Sequence, residues 1–450
     1  MTAALALTLA ACSKDDDGLT PQPAEQQPTE QTTGRGIPFT ATISIGEGGM
    51  TRALADGGTT LTATWEEGEK VALIHNGVSD EMTVASVSGG VATITGEITG
   101  SPTDGDAVTI IYPATAAKGT TGEVKASLLK TQEGTLAAVS EKYDVRKGSG
   151  TLTVTGESAT LTDGVEMENP FAVWKLTLPY TARNLCILAD NETIAGATLI
   201  GEQGTEFTVA VPAVSSKTIT VVANDDYNNC YYYKKDGINL AAGKYYRSAP
   251  AMTTVGTERT DDPRMVAGDY SSTIIQATIY DGQTLVLSGL NAKALFITFD
   301  GNTTIILMGS NSVNDQATYP IFNAPEGSTV TITGTGSFTA KGGKDSPCIG
   351  GFKSGKTEYT TGDIIISGGI LDLTGGDINK GTGAAAIGTG HGGTCGIITI
   401  TEGVTRLTAT KSGSATHSIG TGTGGTCGTV TIGGTVYPDG ITDSPFTYEP

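Results

Sequence analysis

A near-verbatim repeat in the last third constrains this chain more than any other feature. Ala385-Ala-Ile-Gly-Thr-Gly-His-Gly-Gly-Thr-Cys-Gly-Ile-Ile-Thr-Ile400 returns 32 residues later as His417-Ser-Ile-Gly-Thr-Gly-Thr-Gly-Gly-Thr-Cys-Gly-Thr-Val-Thr-Ile432, with Cys395 mapping onto Cys427. Looser copies begin at Pro347-Cys-Ile-Gly-Gly351 and at Tyr319-Pro-Ile-Phe322. In register, Ile321, Ile349, Ile387 and Ile419 make one column, and Ile332, Ile366, Ile400 and Ile432 make another. A unit this short cannot bury its own apolar face, so it folds only by stacking on its neighbours. The spacing predicts a right-handed parallel β-helix over residues 268–440, with coils about 4.8 Å apart and isoleucines inside.

Upstream of the repeat the period changes but the class does not. Runs such as Phe39-Thr-Ala-Thr-Ile-Ser-Ile45 and Leu61-Thr-Ala-Thr-Trp65 alternate apolar with polar residues, and similar runs recur to Val222. Alternation broken by Gly, Asp and Asn predicts antiparallel strands with one buried face. Strands this dense without intervening helices predict an all-β chain of two tandem β-sandwiches, over 37–165 and 166–256, ahead of the β-helix. The polar link Thr257 to Pro263 separates the second sandwich from the repeats.

Met1 to Ala11 is too short to span a bilayer, which takes about 20 apolar residues, and fits the apolar part of a signal peptide. Leu9-Ala10-Ala11-Cys12 resembles the lipobox of bacterial lipoproteins, which implies lipidation of Cys12 and a lipid anchor. Ser13-Lys14-Asp15-Asp16-Asp17 resembles the acidic tag that sends Bacteroidetes lipoproteins to the outside of the outer membrane. After that tag residues 12–36 hold a single large apolar group, Leu19, and read as a disordered tether.

Residues 37–254 resemble the fimbrillin-like family of Bacteroidetes surface proteins. The resemblance is carried by Ile37-Pro-Phe-Thr-Ala-Thr-Ile43, Thr51-Arg52-Ala53, Trp65-Glu-Glu-Gly-Glu-Lys-Val-Ala-Leu73, Pro170-Phe-Ala-Val-Trp174 and Leu240-Ala-Ala-Gly-Lys-Tyr-Tyr246. It implies two β-sandwiches, export as a lipoprotein, and assembly with other fimbrial subunits by donor-strand exchange after a protease cuts at an arginine. Arg35 and Arg52 are the positions that could serve.

Chemistry is sparse. With 27 basic against 47 acidic side chains the net charge is −20, which disfavours nucleic acid, where cations must replace counterions. Three histidines and no C-x-x-C leave little for a metal centre, and no cofactor is expected. Gly388-x-Gly390-x-x-Gly393 and its copy at Gly420 spell a dinucleotide fingerprint, but both copies are repeat turns rather than a strand leading into a helix. Cys186 and Cys230 fall in one domain and could pair; Cys395 and Cys427 would sit on adjacent coils, as a disulfide or as an inward thiol ladder. Gly390-His391-Gly392 matches a piece of the polygalacturonase pattern, yet Asp363, Asp372 and Asp377 make no Asp-Asp pair, so no catalytic residue is assigned. The stretch Gly351 to Thr360 is an insertion carrying Phe352, Lys353, Lys356 and Tyr359, flat faces and hydrogen-bond donors suited to a sugar. These features point to a surface fimbrial adhesin, a tip subunit presenting the β-helix to a glycan or host surface. A shaft subunit and a pectin-type hydrolase or lyase are the alternatives.

Overall fold

The computed structural model describes residues 36–45, 64–351, 360–377 and 382–450. Eight strands come first: β1 (Ile37–Ile45), β2 (Lys70–His75), β3 (Val78–Ser88), β4 (Val91–Ile98), β5 (Ala107–Tyr112), β6 (Arg146–Thr155), β7 (Ser158–Leu161) and β8 (Val165–Met167). They neighbour in the order β4-β3-β2-β5-β6-β7-β1, and β1 returns to pair antiparallel with β4 from Ile37↔Ile98 to Ser44↔Val91. Seven strands therefore close into a barrel, with β8 attached to β1. The first expected sandwich is corrected to this closed ring. Alternation at period two is the same in a sandwich and a barrel; the second edge of β1 decides between them. Phe39, Ile43, Leu73, Ile94 and Ile110 fill the interior.

The next eight strands are β9 (Phe171–Ala182), β10 (Asn184–Ala189), β11 (Glu192–Thr198), β12 (Gly204–Pro212), β13 (Val214–Asn224), β14 (Cys230–Leu240), β15 (Tyr245–Ser248) and β16 (Thr253–Thr254). They form a three-stranded sheet, β12-β9-β15, and a five-stranded sheet, β11-β10-β13-β14-β16. Val173, Leu176, Phe207 and Val209 of the first share a core with Leu185, Ile187, Ile219 and Val221 of the second. Ala72 and Ile74 of β2 belong to that core too, while Val71 and Leu73 point into the barrel, so β2 is shared between the two bodies.

From Arg264 to Ile432 the strands pair with one another in parallel, and the isolated bridge Pro325↔Thr361 is antiparallel. The chain visits three ladders in fixed rotation. One runs Thr304, Thr331, Ile365, Thr399, Thr431. The second runs Asn311, Phe338, Leu371, Leu407, and the third Phe322, Ile349, Ile387, Ile419. Alternate residues point inward, and Ile332, Ile366, Ile400 and Ile432 stack as the spacing predicts. That column continues upstream through Ile305 and Leu285 and ends on Arg264. The other column is corrected by one residue: Phe322, not Ile321, pairs with Ile349. Both side chains are fully buried at this corner, so hydrophobicity alone cannot choose the register.

At the far end residues 435–448 fold back on the stack. Thr435–Tyr437 pairs antiparallel with Val430–Ile432, and Phe446–Tyr448 pairs antiparallel with Leu407–Ala409. Ile441, Tyr437, Phe446 and Tyr448 pack against the stack's core and cover its last turn.

The five-stranded sheet lies on the stack with its outer face. Cys186, Leu188, Val222 and Cys230 of the sheet meet Val286, Ile306 and Met308 of the stack in one apolar cluster. At its edge Thr193 Oγ1 lies 2.9 Å from Thr333 Oγ1 and accepts from Gly334 N at 2.9 Å, while Thr193 N donates to Ser367 O. Where the sheet meets the stack both of its faces are covered: Tyr231 and Tyr233 pack on the sandwich core and Tyr232 packs towards the stack.

Candidate functional site

The residues singled out from sequence, Cys12, Arg35, Arg52, Phe352, Lys353, Lys356 and Tyr359, lie outside the described residues. What the structure does place is the outer surface of the stack. There every second ladder residue points outward, giving rows of polar side chains one turn apart. Asn291 Oδ1 accepts from Asn314 Nδ2 at 2.6 Å, and Asn291 Nδ2 donates to Asp269 Oδ1 at 3.1 Å, linking three successive turns.

Two clefts open on this surface, and both are mostly polar. The first, about 400 Å³, is lined by Arg259, Arg264, Gln276, Thr278, Phe296 and Thr298. Gln276↔Phe296 and Thr278↔Thr298 are paired rungs of the first two turns, which fixes their side chains on one outer face. Arg264 ends the isoleucine column and is only 8 % exposed. Its Nη2 donates to Thr278 O at 3.3 Å. Burial and the neighbouring Arg259 charge push its pKa down from the usual arginine range. Arg259, exposed, lies over the Tyr280 ring and donates to the Tyr280 hydroxyl. Among the described residues neither guanidinium has a carboxylate partner. Phe296 packs on Tyr319, ring centroids 5.0 Å apart, beside the cleft.

The second cleft, about 320 Å³, is lined by Asn314, Asp315, Gln316, Lys341, Lys344 and Asp377, on the loop leading to Tyr319 and the turns below it. Its charges are matched: Lys341 Nζ pairs with Asp377 Oδ2 at 2.9 Å.

The dinucleotide fingerprint is explained by packing. Gly350, Gly388 and Gly420 stack in one ladder at φ +137°, +120° and +137°. A Cβ on Gly388 would meet Gly420 O at 1.9 Å. Asp363, Asp372 and Asp377 are not gathered: Asp363 Oδ1 accepts from Ile397 N at 2.9 Å, Asp372 is a rung between Thr339 and Thr408, and Asp377 serves Lys341. His391 Nδ1 contacts Thr423 O at 2.6 Å, a bond between adjacent turns. No group of three or more metal-ligating side chains converges among the described residues.

Cys186 and Cys230 do not pair. Cys186 stands opposite Val222 and Tyr232, whereas Cys230 stands opposite Asn224 and Asn184, two rungs along and two strands across. That puts their Cα atoms about 10 Å or more apart, beyond the ~7 Å reach of a disulfide. Cys395 and Cys427 do meet, with Sγ atoms 2.9 Å apart as free thiols.

No family model matches this chain, and no curated protein does. Solved structures similar to it include a fimbrial protein from Bacteroides ovatus at 14 % identity, covering 48 % of each chain with a TM-score of 0.25. The match thus spans about half the length of that protein. A fimbrial assembly protein from Parabacteroides distasonis matches at 10 % identity over 49 % of this chain and 99 % of its own, also at 0.25. Scores this low carry no weight for function, which must come from the chain's own residues.

Two features escaped sequence reading. The Arg259–Arg264 cleft joins a linker arginine to the start of the first turn, and only the register Arg264↔Leu285 reveals that the arginine caps an apolar column. Lys130, 4 % exposed, sits at the junction with the stack and donates to Thr193 O. Burial pushes its pKa down to about 8. A lone lysine in a loop gives no sequence signal of this.

Proposed function

We propose that the protein is a cell-surface fimbrial subunit of adhesive type, held at the outer membrane through lipidated Cys12 and placed at a filament tip. In this reading the ladder stack is a right-handed parallel β-helix that presents the ligand-binding surface. The barrel and sandwich join the subunit to others by donor-strand exchange after cleavage at Arg35 or Arg52.

The observation that carries the tip reading is the use made of residues 435–448. A segment that is to leave for a neighbouring subunit must be free of its own. Here that segment is bonded back onto Leu407–Ala409 and Val430–Ile432, and Ile441 is 4 % exposed within the core it closes. Pulling it out would expose the end of the stack to water. The apolar junction through Cys186, Leu188, Val286 and Ile306 also suits a part that must bear load.

The test is immunogold electron microscopy on native cells with antibody to residues 268–440. Label at filament ends is expected. Label along the shafts would support the structural-subunit alternative, and label over the membrane without filaments would remove the fimbrial role.

A further inference from the structure

We propose that the Arg259–Arg264 cleft binds a carboxylate-bearing sugar, with the carboxylate on the two guanidinium groups and the sugar ring against Phe296. The inference rests on the reading of the stack as the ligand-bearing part and names the class of ligand.

Arg264 is the anchor. It is more than nine-tenths buried, and one carbonyl, Thr278 O, is its hydrogen-bond partner among the described residues. A guanidinium carries five N–H donors in a planar fork, so most of its donors have no protein acceptor. The donors that lack a protein acceptor open into the cleft, where an incoming anion can take the place of water. Arg259 adds a second positive group on the exposed rim, held by the Tyr280 ring and hydroxyl. A planar carboxylate fits such a fork through two parallel bonds.

The remaining lining selects for a sugar. Gln276, Thr278 and Thr298 present neutral amide and hydroxyl groups, which suit the hydroxyls of a pyranose. Phe296, backed by Tyr319, gives a flat apolar surface for the C–H face of the ring. No lysine lines the cleft. At about 400 Å³ it holds one or two sugar units.

The experiment is isothermal titration of the full-length chain with trigalacturonate and with sialyllactose, each beside its methyl ester. At least one acid should bind, and its ester at least tenfold more weakly. Arg259→Gln should weaken binding of the acid at least tenfold and leave the melting temperature unchanged, since the side chain is on the rim. Arg264→Lys, which keeps the charge and loses the fork, should weaken it similarly. If Arg264 variants fail to fold, Arg259→Gln decides alone. The proposal is overturned if acid and ester bind alike, if neither acid binds, or if Arg259→Gln binds as the parent does. It is overturned equally if inorganic phosphate, or a peptide ending in a free carboxylate, binds and the sugars do not. Gold label at filament ends with no acid binding would sink the ligand class and leave the adhesin reading standing. Acid binding without filaments would do the reverse.

Discussion

Cys395 Sγ and Cys427 Sγ lie 2.9 Å apart, on equivalent positions of two adjacent turns of the stack. Cys395 is 2 % exposed and Cys427 is half-buried. The hydrogen bond between them holds the Cys395 thiol below the usual range and pushes Cys427 up.

Diamide should therefore oxidise this pair selectively, two thiols losing two hydrogens as the reagent becomes the hydrazine. Cys186, Cys230 and Cys348 are fully buried, with pKa values pushed up to about 12, and should survive. Peptide mapping after alkylation should find the disulfide Cys395–Cys427 and intact thiols at Cys186, Cys230 and Cys348. Closing a 32-residue loop could add up to about 4 kcal/mol to the stability of the last turns. Urea unfolding of the oxidised and reduced forms measures it.

The glycine ladder makes a sharper mutational test. Gly388→Ala would drive a Cβ to 1.9 Å from Gly420 O at a backbone φ of +120°, and a backbone carbonyl cannot step aside. The expected loss exceeds ~4 kcal/mol, because closely stacked turns must separate. Gly392→Ala has nothing within 4 Å and only a φ of +73° against it, so about 1 kcal/mol is expected. Equal losses in the two variants would refute the account of the repeat as a packing device.

Thr193 fastens the sandwich to the stack through Thr333 and Gly334. Thr193→Val keeps the shape and removes the hydroxyl, leaving a buried Gly334 N–H without its acceptor. The expected cost is about 1–3 kcal/mol. Differential scanning calorimetry should show the junction weakening first, as a shoulder that separates sandwich from stack. A single unshifted transition would mean that the apolar cluster around Cys186 and Val286 holds the junction by itself.

Lys130 gives the junction a pH dependence. Its pKa is about 8 folded and 10.5 when free, so folding penalises the charged form. Stability from this group is complete above pH 10.5 and is lost as pH falls through 8. The penalty below pH 8 is a few kcal/mol. Lys130→Met should therefore stabilise the protein at pH 7 and lose most of that advantage near pH 10.5. Chemical denaturation at the two pH values compares them, and a constant difference would rule out the buried lysine as its source.

The stacking repeat and the all-β class were legible because both depend on local periodicity. An isoleucine every 32 to 34 residues must sit on one column if the turns stack, and Ile366, Ile400 and Ile432 do so. The slip at Ile321 and Phe322 was not legible, since two adjacent buried apolar residues satisfy the pattern in either register. The closed barrel was hidden for a related reason. Strand edges carry no side-chain signal, and the pairing of Ile37 with Ile98 joins segments far apart in the chain. One clue to the buried junction did exist: Leu185-Cys-Ile-Leu-Ala189 is apolar without alternation, the mark of a strand covered on both faces.

The sequence by itself determined what recurs along the chain: alternating strands, the glycine turns, and the columns that make stacking the way to bury the repeat. Those follow from the two-residue period of a strand and from the entropy and hydration of each residue in place. Tertiary structure alone decided which edges meet, that Arg264 caps an isoleucine column, and that its guanidinium opens into a cleft beside Arg259. These are juxtapositions of residues with no local relation, and their energies exist only once the chain has brought them together.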